Sequence, residues 1–174
     1  DLDRDTYLDL VCATDTSTIT IFWGSAAGYS NSDTGIVALD GMIGQNLEVA
    51  DLDQDGWADI AAVSWTRNAN PVIYWGPGRR PREVVWLETR DGKSHGVTVA
   101  DLDKDGWLDL VYSSYDNGTS GWIYYGSETG LSQFRRERIF PGQAFGGTIA
   151  SYWDSDSSLD LVFLRGEYRG TPNW

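Results

Sequence analysis

The chain has 174 residues, 41% hydrophobic and 13% aromatic, enough for one folded domain with a real core. Its 13 Lys and Arg against 26 Asp and Glu give a net charge of -13, which repels phosphate backbones and anionic lipid surfaces, so nucleic acid is not an expected partner. No apolar run approaches the roughly 20 residues that span a bilayer, so no membrane insertion is expected; a single cysteine, Cys12, excludes an internal disulfide, and a single His removes most His-based chemistry.

The first predicted element is an acidic turn, DLDRDTYLDLV at residues 1–11. It returns as DLDQDGWADIA at 51–61 and DLDKDGWLDLV at 101–111, fifty residues apart each time, and as a worn copy, YWDSDSSLDLV, from Tyr152. The flanks recur too: EVAD and TVAD lead into the motif, and IFWG, IYWG and IYYG follow it. The repeating unit is therefore a structural unit of about 50 residues and not a local motif.

Inside a unit the apolar residues come in short alternating runs rich in β-branched and aromatic types, separated by Gly, Asn, Asp and Pro, which predicts strands. The third unit predicts strands at Gly96–Ala100, Leu108–Ser113, Trp122–Tyr125 and near Arg138–Phe140, with a turn at Asp116–Ser120. Helical periodicity is absent and the 20 glycines disfavour helical repeats. Four antiparallel strands with a period near 50 predict an all-β chain, a β-propeller segment. The expected units are a partial blade 1–44, blades 45–94 and 95–144, and a partial blade 145–174, about three and a half in all. Closed propellers have about four blades or more. Completion of a ring therefore calls for the remainder of a longer chain or for a second copy, either of which could pair with unmatched strand edges.

The acidic turns carry the chemistry. Asp51, Asp53 and Asp55 alternate, Gly56 follows and Asp59 closes; Asp101, Asp103, Asp105, Gly106 and Asp109 repeat this, and Asp1, Asp3, Asp5 and Asp9 do so with Thr6 in place of the glycine. Carboxylates so close repel one another unless a cation sits between them. Ca²⁺ suits the pattern because it takes about six to eight hard oxygen ligands in a flexible shell, whereas Mg²⁺ resists dehydration by an all-protein cage. By analogy with helical calcium loops, the backbone carbonyls of Tyr7, Trp57 and Trp107 at position 7 are further ligands. The helical loops place a glutamate at position 12, where this chain has Cys12, Ala62 and Tyr112, so the expected site is a calcium loop within a β-hairpin. The fourth copy offers Asp154, Asp156 and Asp160 but has Tyr152 for the first Asp and Ser157 for the glycine, giving three strong sites and a fourth, degenerate one. These loops hold fifteen of the 26 acidic residues, so the acidity is concentrated there.

The D-x-D-x-D-G-x-x-D loop followed by LDLV-type strands, the VAD approach, and the pairs Trp23-Gly24, Trp75-Gly76 and Tyr125-Gly126 resemble the FG-GAP/VCBS repeat family, the calcium-loop propeller blades of integrin α-chains and many bacterial surface and secreted proteins. The resemblance covers nearly the whole chain. It implies a propeller whose calcium sites are structural and sit between the first two strands of each blade. It leaves the ligand open, because the family includes adhesins, lectin-like proteins and propellers attached to enzymes.

Other residues are weighed against packing. Trp23, Trp75 and Tyr125 recur at one blade position, and Tyr7, Trp57 and Trp107 at another, which predicts inter-blade packing. Trp65, Trp86, Tyr115 and Tyr168 do not recur and are the candidates for ligand binding. Arg79, Arg80 and Arg82, and then Arg135, Arg136 and Arg138, suit an acidic polysaccharide or, as a plainer role, a charged edge that blocks strand addition. His95 has no nucleophile beside it in a recognisable motif. Asn117-Gly118-Thr119 fits a glycosylation acceptor, a tripeptide common by chance. The expected function is adhesion or recognition of a protein or glycan, non-catalytic and extracellular, where calcium is abundant. The alternatives are the propeller or accessory part of a lyase-like, polysaccharide-degrading enzyme, and a structural subunit that assembles through open blade edges.

Overall fold

A computed structural model describes residues 1–39, 44–66, 70–76, 83–87, 94–114, 121–139 and 147–164. Among them are thirteen strands and no helix. The first sheet holds β1 (Leu10–Ala13), β2 (Thr18–Phe22) and β3 (Thr34–Ala38). The second holds β4 (Gly44–Ala50), β5 (Asp59–Ser64), β6 (Val72–Trp75) and β7 (Glu83–Trp86). The third holds β8 (Ser94–Ala100), β9 (Asp109–Ser114), β10 (Gly121–Tyr124) and β11 (Arg136–Ile139), and the last β12 (Thr148–Ser151) and β13 (Asp160–Phe163). Every sheet is an antiparallel meander in which consecutive strands pair. The chain is thus all-β, as expected, and its sheets are consistent with propeller blades.

The third sheet matches the strands read from the sequence to within a residue or two, with one local difference. β8 begins at Ser94, and its register against β9 shifts between Ser94 and Gly96; β4 shifts at the equivalent place, between Gly44 and Asn46. A bulge adds a residue to one strand and turns its side chain. His95 therefore lies inside the strand and is 6% exposed, whereas the strand read from the sequence begins one residue later, at Gly96. The turn predicted at 116–120 lies outside the described residues.

Alternation along each strand explains how the sheets stack. From β5, Ile60 and Ala62 join a core with Ile19, Ile21, Trp23, Val37 and Leu39 of the first sheet or its margin. The intervening Ala61 and Val63 face the other way, into a second core with Val97, Leu110, Tyr112 and Tyr124 of the third sheet. A strand buried on both faces is apolar through its middle, and all six residues of β5 and all six of β9 are buried, with the polar ones, Asp59 and Ser64, Asp109, Ser113 and Ser114, confined to the strand ends. Each buried Leu, Ile or Val in these two cores adds roughly 1.5–3 kcal/mol. Between sheets, β4 lies beside β8 and β8 beside β12, so the leading strands of successive sheets are neighbours. The acidic loops that follow those leading strands consequently fall at one end of the stack.

Candidate metal centre

In the two four-stranded sheets the acidic loop joins the first two strands: 51–58 links β4 to β5, and 101–108 links β8 to β9. The backbone of the loop is tightened by its own carboxylates. Asp51 Oδ2 accepts from the Gly56 amide at 2.9 Å, Asp53 Oδ1 from Asp55 at 3.2 Å, and Asp55 Oδ1 from Trp57 at 2.8 Å. The third loop repeats these bonds: Asp101 with Gly106 at 3.0 Å, Asp103 with Asp105 at 3.2 Å, and Asp105 with Trp107 at 2.9 Å. In the first loop Asp1 takes the Asp5 and Thr6 amides, each at 3.1 Å. Gly56 and Gly106 have φ of +84° and +91°, a region open to glycine. Thr6 is held at φ 81° in the same position, a strained conformation for a β-branched residue.

These turns gather oxygen donors. Asp51, Asp53 and Asp59 each bring a carboxylate oxygen to within 4.8 Å of the others; Asp101, Asp103 and Asp109 do the same, as do Asp1, Asp3 and Asp5. Among the described residues these are the three groups that could hold a metal ion, and Asp154, Asp156 and Asp160 do not form one. Oδ1 of Asp51 and Oδ1 of Asp101 are buried and accept no hydrogen bond. A buried carboxylate oxygen lacking a partner is costly, and a cation held among these carboxylates would supply the partner. With carboxylates alone as side-chain donors, the sites favour a hard cation.

The ninth position does more than the sequence suggests. Asp59 accepts from the Leu52 amide through Oδ2 and from the Gly76 amide through Oδ1, both at 2.8 Å. Asp109 holds Leu102 and Gly126 at 2.8 and 2.9 Å, and Asp9 holds Leu2 and Gly24 at 2.6 and 2.8 Å. This carboxylate pins the loop to the glycine just past the end of β2, β6 or β10, and the recurring aromatic-Gly pair is its signal. At Gly24 and Gly126 a Cβ would collide with the carbonyl oxygens of Leu8 and Leu108, so only glycine brings its amide this close. Burial pushes the Asp59 carboxyl up to about 6, against the pull of the Gly76 and Leu52 amides. Burial raises Asp109 in the same direction. With the metal absent, a raised carboxyl contributes stability below the ordinary carboxylate range and loses it as pH rises through about 6; a cation counters that loss by favouring the anion.

The remaining candidates divide. Trp23 and Trp75 are core residues, 3% and 7% exposed, whereas Tyr125 donates its hydroxyl to Glu137 Oε2 at 2.9 Å. Tyr7 is 42% exposed, and Trp57 lies beneath the Arg4 guanidinium, 4.0 Å from Cζ to ring centroid. The Trp65 ring meets His95 edge to face at 4.4 Å between centroids. Trp86 ends β7, but its side chain, Tyr115, Tyr168, and Arg79, Arg80 and Arg82 are outside what the structure describes. Arg136 and Arg138 stack over Trp122 at 4.5 and 5.7 Å on the edge strand β11, and Arg135 pairs with Asp105 at 3.7 Å.

Searches of curated proteins and of solved structures return no match. The family model of the FG-GAP-like repeat matches residues 1–62 and again 51–112, each match running from one acidic loop through the next. With repeated loops, strands and glycine clamps all in register with those matches, the chain belongs to the FG-GAP repeat family.

Proposed function

We propose that the chain is a calcium-stabilised extracellular propeller module that recognises a protein or glycan and performs no catalysis. The observation that carries the calcium assignment is the pair of buried, unpartnered Oδ1 atoms of Asp51 and Asp101 inside groups of three converging carboxylates. Hard oxygen donors on a flexible turn suit Ca²⁺, and extracellular modules of this kind fill at about 10⁻⁴–10⁻³ M calcium, a level met outside cells. A non-catalytic role is supported by the commitment of the clustered carboxylates to backbone amides and to the ion. Recognition then falls to residues that break the repeat, Trp65 beside His95 foremost. Titration calorimetry with CaCl₂ is expected to show about three sites per chain, with MgCl₂ binding far more weakly; no calcium heat at millimolar concentration rejects the reading.

The partner that completes the sheets is the rest of a longer chain or a second copy. The outer face of the first sheet supports this: Leu10, Cys12 and Phe22 line a cleft of about 300 Å³. The residues fifty on from the first two, Ile60 and Ala62, together with Tyr74, fill the same blade face and pack against the preceding sheet. Ile36 in β3 is likewise 71% exposed. A sheet face of the same kind fits there. Light scattering in calcium is expected to give a dimer of the 19.3 kDa chain, or aggregation relieved when neighbouring sequence is added; a stable, soluble monomer argues against both forms of completion.

A further inference from the structure

Position 4 of the loops carries Arg4, Gln54 and Lys104, all with left-handed backbone, at φ 60°, 58° and 62°. That conformation costs a residue with a Cβ of order 1–2 kcal/mol, and Gly or Asn adopts it more readily. Three long polar side chains on three such backbones pose the question of what the side chains do. Each reaches out of its own sheet. Gln54 Nε2 donates to the Gly106 carbonyl oxygen at 2.6 Å. Lys104 Nζ donates to the Ser157 carbonyl oxygen. The Arg4 guanidinium presses on Gly56, where any Cβ would collide with it, and covers the Trp57 ring.

Gly56, Gly106 and Ser157 are the sixth residues of the second, third and fourth loops, so position 4 of one loop holds position 6 of the next. Position 6 is no idle contact. The amides of Gly56 and Gly106 donate to Oδ2 of Asp51 and Asp101, the carboxylates whose other oxygens are buried without a partner. Position 4, for its part, lies between two acidic residues of its own loop, as Gln54 does between Asp53 and Asp55.

We propose that the residue at position 4 is an inter-loop tie, through which cation occupancy of one loop favours occupancy of the next; the inference rests on the calcium reading above. An ion held by Asp51, Asp53 and Asp59 fixes the backbone on both sides of Gln54. The ordered side chain then holds Gly106 where its amide orients Asp101, so the third loop binds with less ordering cost. Linkage makes the effect mutual. Direct repulsion between ions acts in the opposite sense, is screened beyond about 8 Å at physiological salt, and does not depend on Gln54.

The test follows calcium titrations of the whole chain at physiological salt by the NMR amide signals of Gly56 and Gly106, one reporter per loop. Gln54→Met keeps the reach and removes the donor. With Gln54 present, Asp53→Asn is expected to raise the calcium midpoint at Gly106 about fivefold, and Asp103→Asn to raise that at Gly56 by the same factor. With Gln54→Met, Asp53→Asn moves the Gly106 midpoint less than about twofold. Gln54→Met alone, which touches no carboxylate, is expected to raise the Gly106 midpoint and keeps the question answerable if the Asp variants fail to fold. An equal response to Asp53→Asn in both backgrounds, or an unmoved Gly106 midpoint in Gln54→Met, overturns the tie while leaving calcium binding intact. Calcium-insensitive Gly56 and Gly106 signals in the unsubstituted chain overturn instead the reading on which it rests.

Discussion

Chelation with EDTA is expected to lower the melting temperature of the chain by about 15–30 °C. Calcium at about 10 mM, a hundred times a dissociation constant of about 10⁻⁴ M, stabilises the folded state by about 2.7 kcal/mol per site relative to the chelated chain. Three carboxylate groups converge closely enough to act as such sites. Each kcal/mol moves the midpoint of a domain of this size by about 2–4 °C, which gives the range. The same arithmetic assigns about 5–10 °C to one loop, so Asp103→Ala loses that much in calcium and little in EDTA, where the loop already lacks its ion. Asp156→Ala in the fourth loop, which gathers no such carboxylate group, leaves the calcium melt nearly unchanged. Differential scanning calorimetry of the three chains with and without EDTA reads all of these. A melt indifferent to EDTA rejects the cation as the element that makes clustered acid tolerable.

The repeat made the architecture legible in advance. A fifty-residue period aligned Leu10, Ile60 and Leu110 in successive units, and the short apolar run before Ser113 predicted a strand, while the burial of β5 and β9 along their whole length emerges only from the sheets packed on either side. The acidic loop was legible for the same reason, since three copies of one spacing are hard to obtain from turn preference alone. What escaped was everything that depends on partners distant in sequence. Asp59 reads as a ligand alone, and nothing in the sequence shows that its two oxygens also hold amides at Leu52 and Gly76. The clue was present in the Trp-Gly and Tyr-Gly pairs, but the aromatic ring drew attention to packing while the glycine amide carried the contact. Gln54 carries no signal of its role, because nothing in its local sequence shows that Gly106, fifty-two residues on, lies within hydrogen-bonding reach. The bulge that turns His95 inward is likewise a pairing event between two strands, invisible to a count of alternating residues along one.

The ninth-position aspartates should separate from the other loop carboxylates in a way that calcium alone cannot produce. Asp109 is 0% exposed and each of its oxygens accepts one backbone amide, from Leu102 and from Gly126. Asp109→Asn preserves size and shape but turns one acceptor into an NH₂ group that faces an N–H donor. One charge-assisted bond is lost, about 1.5–3 kcal/mol, and a buried donor is left unsatisfied, a further 1–3 kcal/mol or so. Relief from burying a charge, visible in the raised pKa of this carboxyl, offsets part of that. A net loss of about 3 kcal/mol lowers the melting temperature by roughly 6–12 °C. Because the clamp joins protein to protein, most of the loss persists in EDTA, in contrast to Asp103→Ala. The less buried Asp9 makes the same two bonds, so Asp9→Asn shows the same persistence with a smaller shift. Equal melting of Asp109→Asn and the unsubstituted chain in EDTA would show that the ninth carboxylate serves the ion alone.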